Sequence, residues 1–348
     1  MTSSASLDAP APARGFAHPA IGRAGGKAIL FGEHSVVYGH PAIAVPLPEV
    51  AVRAAVQLTT GAGRLRSALY TGPLTRAPQR LLPTVTALDA ALSALCPPGT
   101  SALLEVESDI PAERGLGSSA AVAAAVISAV AEAAGVALSR DERFELIQIA
   151  ERAAHGRPSG LDARAVCATQ PLWFQAGAVR DLPLGAPLHL VVADTGVRGR
   201  TGEAVAAVRE RLAADPHDTG AQLGELGALA DAAGAQLRVG DLPAVGAAMD
   251  RAHAVLDLLG VSDPALDRLA SAARQAGALG AKLTGGGRGG CVVALAPGRD
   301  EADRIAGALR RTGAAAVWTT TVPRAAEVSG TGAAEHTDSA ERAVEATA

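Results

Sequence analysis

The stretch ERGLGSSAAVAAAVISAVAEAAG, residues 113–135, constrains this chain more than any other. From Ser118 onward it is apolar nearly all round, so a helix built from it has no face to offer water and must be packed on every side. Its apolar run is interrupted at Glu132, too early to span a bilayer, and it closes at Gly135, as a helix cap should. Just upstream, Gly115 and Gly117 permit unusual backbone angles and close approach, and Ser118 and Ser119 lead straight into the helix. That arrangement aims backbone N–H groups and a helix dipole at one spot, an anion site. A glycine turn with a serine cap fits the same letters.

GLGSSA also matches the dinucleotide fingerprint G-x-G-x-x-G/A, which must follow directly on a strand. Here the apolar run ends near Val106 and ESDIPAER, with its Pro111, intervenes, so the fingerprint reading is disfavoured. TGGGRGG, residues 284–290, repeats the spacing at Gly285, Gly287 and Gly290 but runs into a strand, CVVALA. Glycine costs backbone entropy, so this loop reads as ligand-facing in preference to a bare turn. Arg288 within it is expected either on phosphate or in solvent.

Short apolar runs before residue 182 read as strands: KAILFG, AIAVPL, VAVRAAVQ and ALLEVE. A second helix, SRDERFELIQIAERAAHG, opens with a capping box of Ser139 and Glu142. LPLGAP, residues 182–187, is a Pro/Gly-rich junction. Beyond it come a strand LHLVVAD, helices near 201–214, 219–238 and 241–259, and a helix from Pro264 capped by SDP. Strands GAKLTG and CVVALA, a helix from Asp300 and a strand AAVWTTTV complete the pattern. This order fits a ferredoxin-like split βαβ with extra helices. The expected fold class is α+β, with two domains at 18–185 and 186–323, a cleft between them, and tails at 1–17 and 324–348 that lack a face to bury.

The formal charge of −4 and the absence of a dense basic stripe exclude a nucleic-acid or anionic-membrane partner from the expectation. Cys96, Cys167 and Cys291 are scattered and read as reduced thiols, and residues 1–17 have no apolar core of a signal peptide. A soluble cytoplasmic protein is expected, and a homodimer is compatible with it.

Only two of the 31 basic side chains are lysine, Lys27 and Lys282; every other is arginine. Wherever a generic cation suffices this sequence writes arginine, so Lys27, in GGKAILFGEHSVVYGH, stands out. An ammonium is a compact point charge that responds to its surroundings. In ERAAHGRPSGLDA, residues 151–163, Glu151 sits on a helix and Asp162 in the loop after it. Read alone, Asp162 caps the next helix and Glu151 is solvated. Read with an anion loop and a lysine, the two acids supply a metal ligand and a base for phosphoryl transfer.

At this point the sequence resembles the GHMP kinase family, through GGKAILFGEHSVVYGHPAIAVPL, GLGSSAAVAAA, KLTGGGRGGC, ERAAHGRPSGLDA and DTGVRGRT, in the family's order across residues 20–322. The branch resembled is the one whose acceptor is mevalonate. The resemblance implies ATP as co-substrate, Mg²⁺, and both substrates in the interdomain cleft. It puts Glu113, Arg114, Gly115, Leu116, Gly117, Ser118, Ser119 and Ala120 on the ATP-phosphate loop. Ser119 and Glu151 match Mg²⁺ ligands, Asp162 the catalytic aspartate, and Lys27 the lysine that polarises the acceptor hydroxyl. His34, Glu33 and Thr201 match acceptor-side positions. Phosphomevalonate kinases resemble the chain less, because their first motif reads Gly-Glu-Tyr where Gly32, Glu33 and His34 stand. Galactokinases carry arginine at the Lys27 position, and a non-catalytic nucleotide-binding regulator would not need Lys27, Glu151 and Asp162 together.

Overall fold

The computed structural model describes residues 19–156 and 158–324. The expected tails, 1–17 and 324–348, lie outside the described residues apart from Arg324.

β1 (Ala20–Phe31) and β2 (Ala42–Thr59) form an antiparallel pair at the centre of the first sheet. AIAVPL and VAVRAAVQ, read as separate strands, are one. The register to β1 shifts between Gly25 and Gly26, where Pro48, Glu49 and Val50 have no opposite number. A proline lacks a ladder donor, so Pro48 is tolerated at that irregular point. At 18 residues β2 is long enough to take three partners. These are β1 on one side and, on the other, β5 (Ser101–Ser108) against residues 52–59 and β6 (Leu172–Gln175) against residues 42–44.

The hairpin β3 (Arg64–Ser67) and β4 (Tyr70–Pro73) extends the sheet beyond β5, with β3 parallel to it, and β7 (Ala178–Asp181) extends it beyond β6. None of β3, β4, β6 and β7 was expected, nor was α1 (Leu82–Leu95). The 113–135 segment forms α2 (Ser118–Ala134), with Ala120, Ala121 and the run Ala123–Ile127 buried. A methyl group on Gly22 would strike the Ala125 carbonyl, so helix and sheet meet backbone to backbone. α3 (Arg140–His155) carries both bonds of the Ser139–Glu142 capping box, and α4 (Leu161–Ala165) follows it.

The second half runs β8 (Leu188–Asp194), α5 (Thr201–Ala214), α6 (Pro216–Val239), α7 (Leu242–Leu258), α8 (Pro264–Gln275), β9 (Gly280–Thr284), β10 (Cys291–Ala296), α9 (Arg299–Arg311) and β11 (Ala316–Val322). Its sheet is antiparallel throughout, in the order β11-β8-β10-β9. In chain order that is fourth, first, third, second, the split βαβ arrangement, with α5 to α7 as the additional helices. Asp263 caps α8 by accepting from the N–H groups of Ala265 and Leu266. α6 reaches back onto the first half, where Gly227 admits the His40 ring and Gly234 the Trp173 ring. Among the described residues no helix is long and apolar enough to cross a membrane.

Candidate active site

The loop before α2, expected to cradle an anion, crosses β1. β5 ends at Ser108, so nine residues separate it from α2, unlike the tight strand-to-helix turn that a dinucleotide fingerprint requires. The Lys27 backbone N–H donates to the Leu116 carbonyl at 3.0 Å, stitching the loop to the strand. Gly117, at φ 70°, is the residue before α2. A methyl there would lie 3.0 Å from Cγ and 3.1 Å from Cε of Lys27, so the lysine stem fills the space a side chain would need. Neither Ser118 nor Ser119 caps the helix. Instead the Ser119 hydroxyl is buried with no hydrogen-bond partner among the described residues. Ala120 is buried behind it in the first turn.

Lys27 is held by two acceptors. Its Nζ donates to the Gly115 carbonyl at 3.0 Å and pairs with Asp162 Oδ1 at 3.1 Å. The lysine side chain is 5% exposed and the aspartate 39%. An ammonium carries three N–H groups, so one remains for a ligand. Asp162 lies inside the first turn of α4, whose preceding residue is Gly160, and makes no cap bond. The capping alternative therefore falls, and the carboxylate reaches across to β1. The solvated alternative for Glu151 falls too, since Glu151 is only 3% exposed in α3, a helix packed on α2.

The remaining expected residues sit at the seam between the halves. Arg114 is turned from the loop towards the second half, its Nε donating to Asp194 Oδ1 at 2.8 Å and a terminal nitrogen to the Gly196 carbonyl at 3.1 Å. Glu113 is exposed; its carbonyl accepts from the Gly199 N–H at 2.9 Å and its carboxylate pairs with Arg198 at 3.5 Å. Leu116 is buried. His34 Nε2 meets the Gly286 carbonyl at 3.0 Å. Because that carbonyl only accepts, Nε2 carries the proton and Nδ1 is left as an acceptor. Burial lowers the His34 pKa, opposed by the Gly286 bond and aided by the charges of Lys282 and Arg288, so the ring is neutral. Thr201 begins α5 and packs against Gly286.

Glu33, expected on the acceptor side, is bound by Lys282, whose Nζ donates to Glu33 Oε1 and, at 2.7 Å, to the Leu283 carbonyl. Both side chains are buried. Burial pushes the Glu33 carboxyl up and the Lys282 ammonium down, while each partner's charge holds the other towards its ionised form.

The third glycine loop, expected to face a ligand, packs closely on its neighbours. Its glycines face protein backbone and side chain: Gly285 meets Gly115, Gly286 meets Thr201, Gly287 meets the Val261 carbonyl and Gly289 the Arg198 carbonyl. A methyl on Gly115 would stand 3.1 Å from Gly285 Cα, and one on Gly285 would stand 2.9 Å from Gly115 Cα. The two loops thus touch without side chains between them. Arg288, expected either on phosphate or in solvent, donates through its Nε to the Gly260 carbonyl at 3.2 Å. Thr284, which sequence reasoning passed over, joins the halves: its hydroxyl accepts from Ile29 N–H at 2.9 Å and donates to the Ile29 carbonyl at 3.0 Å.

As a metal site the donor set is of the right kind. The buried Ser119 hydroxyl lacks a partner, and Glu151 adds a carboxylate from the neighbouring helix. Mg²⁺ takes hard oxygen ligands, usually one or two from protein and the rest from water and substrate phosphates. No cluster of three or more His, Cys, Asp or Glu suited to a metal occurs among the described residues.

The chain matches the profiles of the GHMP kinases N terminal domain over residues 82–170 and the GHMP kinases C terminal domain over residues 232–315. It is 36% identical over 310 residues to the mevalonate kinase of Pyrococcus horikoshii, covering 81% of this chain and 91% of that protein. It is 33% identical over 314 residues to that of Pyrococcus furiosus, covering 84% and 93%. A crystal structure of L. major mevalonate kinase in complex with R-mevalonate superposes with a TM-score of 0.78 at 27% identity, over 89% of this chain and 97% of that one. Matched by both family domains and by relatives this alike over nearly their whole length, the chain belongs to the GHMP kinase family.

Proposed function

We propose that the chain transfers the γ-phosphoryl group of ATP to the C5 hydroxyl of (R)-mevalonate, giving 5-phosphomevalonate for isoprenoid synthesis. The observation that carries the chemistry is Lys27 held between Asp162 and the Gly115 carbonyl, at the mouth of the loop leading into α2. The acceptor is inferred from the mevalonate kinases that the chain matches at 33–36% identity.

In this reading the N–H groups of the loop at residues 113–120 and the start of α2 bind the nucleotide phosphates. Mg²⁺, held by Ser119 and Glu151, would neutralise charge on those phosphates. Asp162 takes the proton from the acceptor hydroxyl, or holds that hydroxyl in place by its charge. The acceptor oxygen bonds to the γ-phosphorus as the bond to the ADP oxygen breaks. The free N–H of Lys27 stabilises the charge developing on the acceptor and transferred oxygens. Neutral His34, through Nδ1, orients the acceptor from the first half and Thr201 from the second. Asp194 fixes Arg114, so the phosphate loop is anchored to both halves.

We place the boundary between the functional halves at 185/186, giving 18–185 and 186–323, with the protein in the cytoplasm beside its ATP supply. Every group named comes from one chain, so the activity is open to a monomer or a homodimer. A coupled ADP-release assay against mevalonate, phosphomevalonate and galactose tests the reading. Turnover with mevalonate far above the other two is expected; a preference for either alternative refutes the acceptor, and no ADP release with any of them refutes the kinase.

A further inference from the structure

The phosphate loop takes its backbone conformation partly from the other half of the molecule. Between Glu113 and Gly117 the chain turns left-handed at Glu113 (φ 60°), Gly115 (φ 79°) and Gly117 (φ 70°). The two glycines adopt such angles freely. Glu113 has a side chain, and a residue of that kind stays there only where its surroundings impose it. Those surroundings belong to the second half. The Glu113 carbonyl accepts from the Gly199 N–H at 2.9 Å, and Arg114 donates to Asp194 Oδ1 at 2.8 Å and to the Gly196 carbonyl at 3.1 Å.

Asp194 is a firm anchor. It is the last residue of β8, an inner strand, in register with Cys291 of β10 and Ala316 of β11. Its Oδ1 also accepts from the Gly196 N–H at 2.8 Å. The Arg114 side chain is 12% exposed, and its other terminal nitrogen is buried with no hydrogen-bond partner among the described residues. A guanidinium does not shed its proton, so in this place it depends on the carboxylate opposite. Without that carboxylate the cation has to turn out to water, and Glu113 loses one of the restraints beside it. The next residue, Gly115, offers the carbonyl that accepts from Lys27 Nζ at 3.0 Å. Asp194, Arg114, Gly115 and Lys27 thus form one run of bonded neighbours from the second sheet to the reacting lysine.

We propose that Asp194 is a positioning residue: it touches no substrate, and through Arg114 it holds the phosphate loop in the conformation that receives the nucleotide and presents the Gly115 carbonyl to Lys27. The inference deepens the proposed kinase reading and rests on it for the turnover readout, while nucleotide binding tests it separately.

The test is Asp194→Asn, Arg114→Met and the double variant, each titrated with MgADP in a calorimeter and assayed with ATP and mevalonate. Asparagine keeps an oxygen for the Gly196 N–H, so the turn leading to Thr201 stays and the acceptor KM should remain within about threefold of wild type. The MgADP Kd should rise about tenfold or more in Asp194→Asn, as for a lost charged hydrogen bond. kcat should fall about 10–10²-fold through the displaced Gly115 carbonyl. Arg114→Met should do the same, and the double variant should lie within about threefold of it, because both changes break one connection.

An unchanged MgADP Kd in Asp194→Asn, with only the melting temperature lowered, overturns the proposal in favour of a structural pair. A tighter Kd overturns it too, since the freed arginine would then be binding phosphate itself. Nucleotide and acceptor KM rising together would show a general loosening of the two halves and count against it, as would effects of the two single variants that simply multiply. Should Asp194→Asn fail to fold, the double variant, which buries neither charge, decides. A Kd raised about tenfold with the acceptor KM unchanged upholds the proposal, and a wild-type Kd overturns it. A wild-type protein that binds MgADP but turns over no acceptor would refute the kinase reading and leave the calorimetric comparison standing.

Discussion

Lys27→Arg separates a lysine needed for its shape from one needed only for its charge. In the structure the stem of Lys27 is pressed against Gly117, with 3.0–3.1 Å between its carbons and the place a methyl would occupy. The Nζ sits 3.0 Å from one acceptor and 3.1 Å from the other. A guanidinium is planar, wider and carried further from the backbone, so it cannot put one nitrogen at that point without displacing Asp162 or the phosphate loop. Loss of a donor aimed at transition-state charge costs about 3–4 kcal/mol. At about 1.36 kcal/mol per tenfold, turnover should fall roughly 10²–10³-fold. Lys27→Met should lose at least as much. Because a methionine fills the stem's space and Asp162 is partly open to water, thermal melts of both variants should stay close to wild type. The measurement is steady-state ADP release with mevalonate, beside a melting curve for each variant. An arginine variant with turnover within about threefold of wild type would refute the reasoning, and the lone lysine would then carry no positional meaning.

Ser119→Ala and Glu151→Gln should each raise the Mg²⁺ concentration that gives half-maximal rate, since each removes an oxygen offered to the ion; an unchanged Mg²⁺ titration in both variants would put the metal elsewhere. Thr284→Val strips Ile29 of both its N–H and carbonyl partners across the seam. At about 1–3 kcal/mol for each of the two buried groups left unmet, chemical denaturation should show a loss of roughly 2–6 kcal/mol, and an unaltered midpoint would argue that water replaces the hydroxyl. Stability should also fall as pH drops below 6.5. Burial lowers the pKa of both His34 and His253, so the unfolded chain binds those protons more readily than the folded one. The raised pKa of surface His217 works in the other direction. Replacing His34 and His253 with glutamine should flatten the acid limb of a melting-temperature profile, and a limb of unchanged slope would assign it to other groups.

The second half of the fold was legible because its signals are local. Asp263 before Pro264 caps α8 as read, and the order of elements gave the split βαβ sheet. In the first half β3, β4, β6 and β7 have four residues each, too few for alternation to register. α1 is a different kind of miss, since Thr84, Ala87, Leu88, Ala91 and Leu92 are buried at helical spacing behind Pro83 and the pattern was there to be read. At the site, Lys27 declared itself by being a lysine in an arginine chain, and the resemblance named Asp162. The partners of Glu33 and Ile29 could not be read, because they lie 249 and 255 residues away and no local period encodes them. The neighbours of the glycines at 285–290, namely Gly115, Thr201, Val261 and Arg198, were likewise unreadable, since each lies far away in sequence.

Those sequence distances also set a timetable. Glu33 leaves the ribosome 249 residues ahead of Lys282, which at about 5–20 residues per second is roughly 12–50 s of synthesis. For that interval the end of β1 has no β9 to receive it: the backbone groups of Ile29 lack Thr284, and the Gly286 carbonyl that fixes His34 has not been made. The strand that bears Lys27 is among the first parts synthesised, yet the partners of its far end are among the last. A nascent chain of this kind carries that half-polar seam open for most of its elongation.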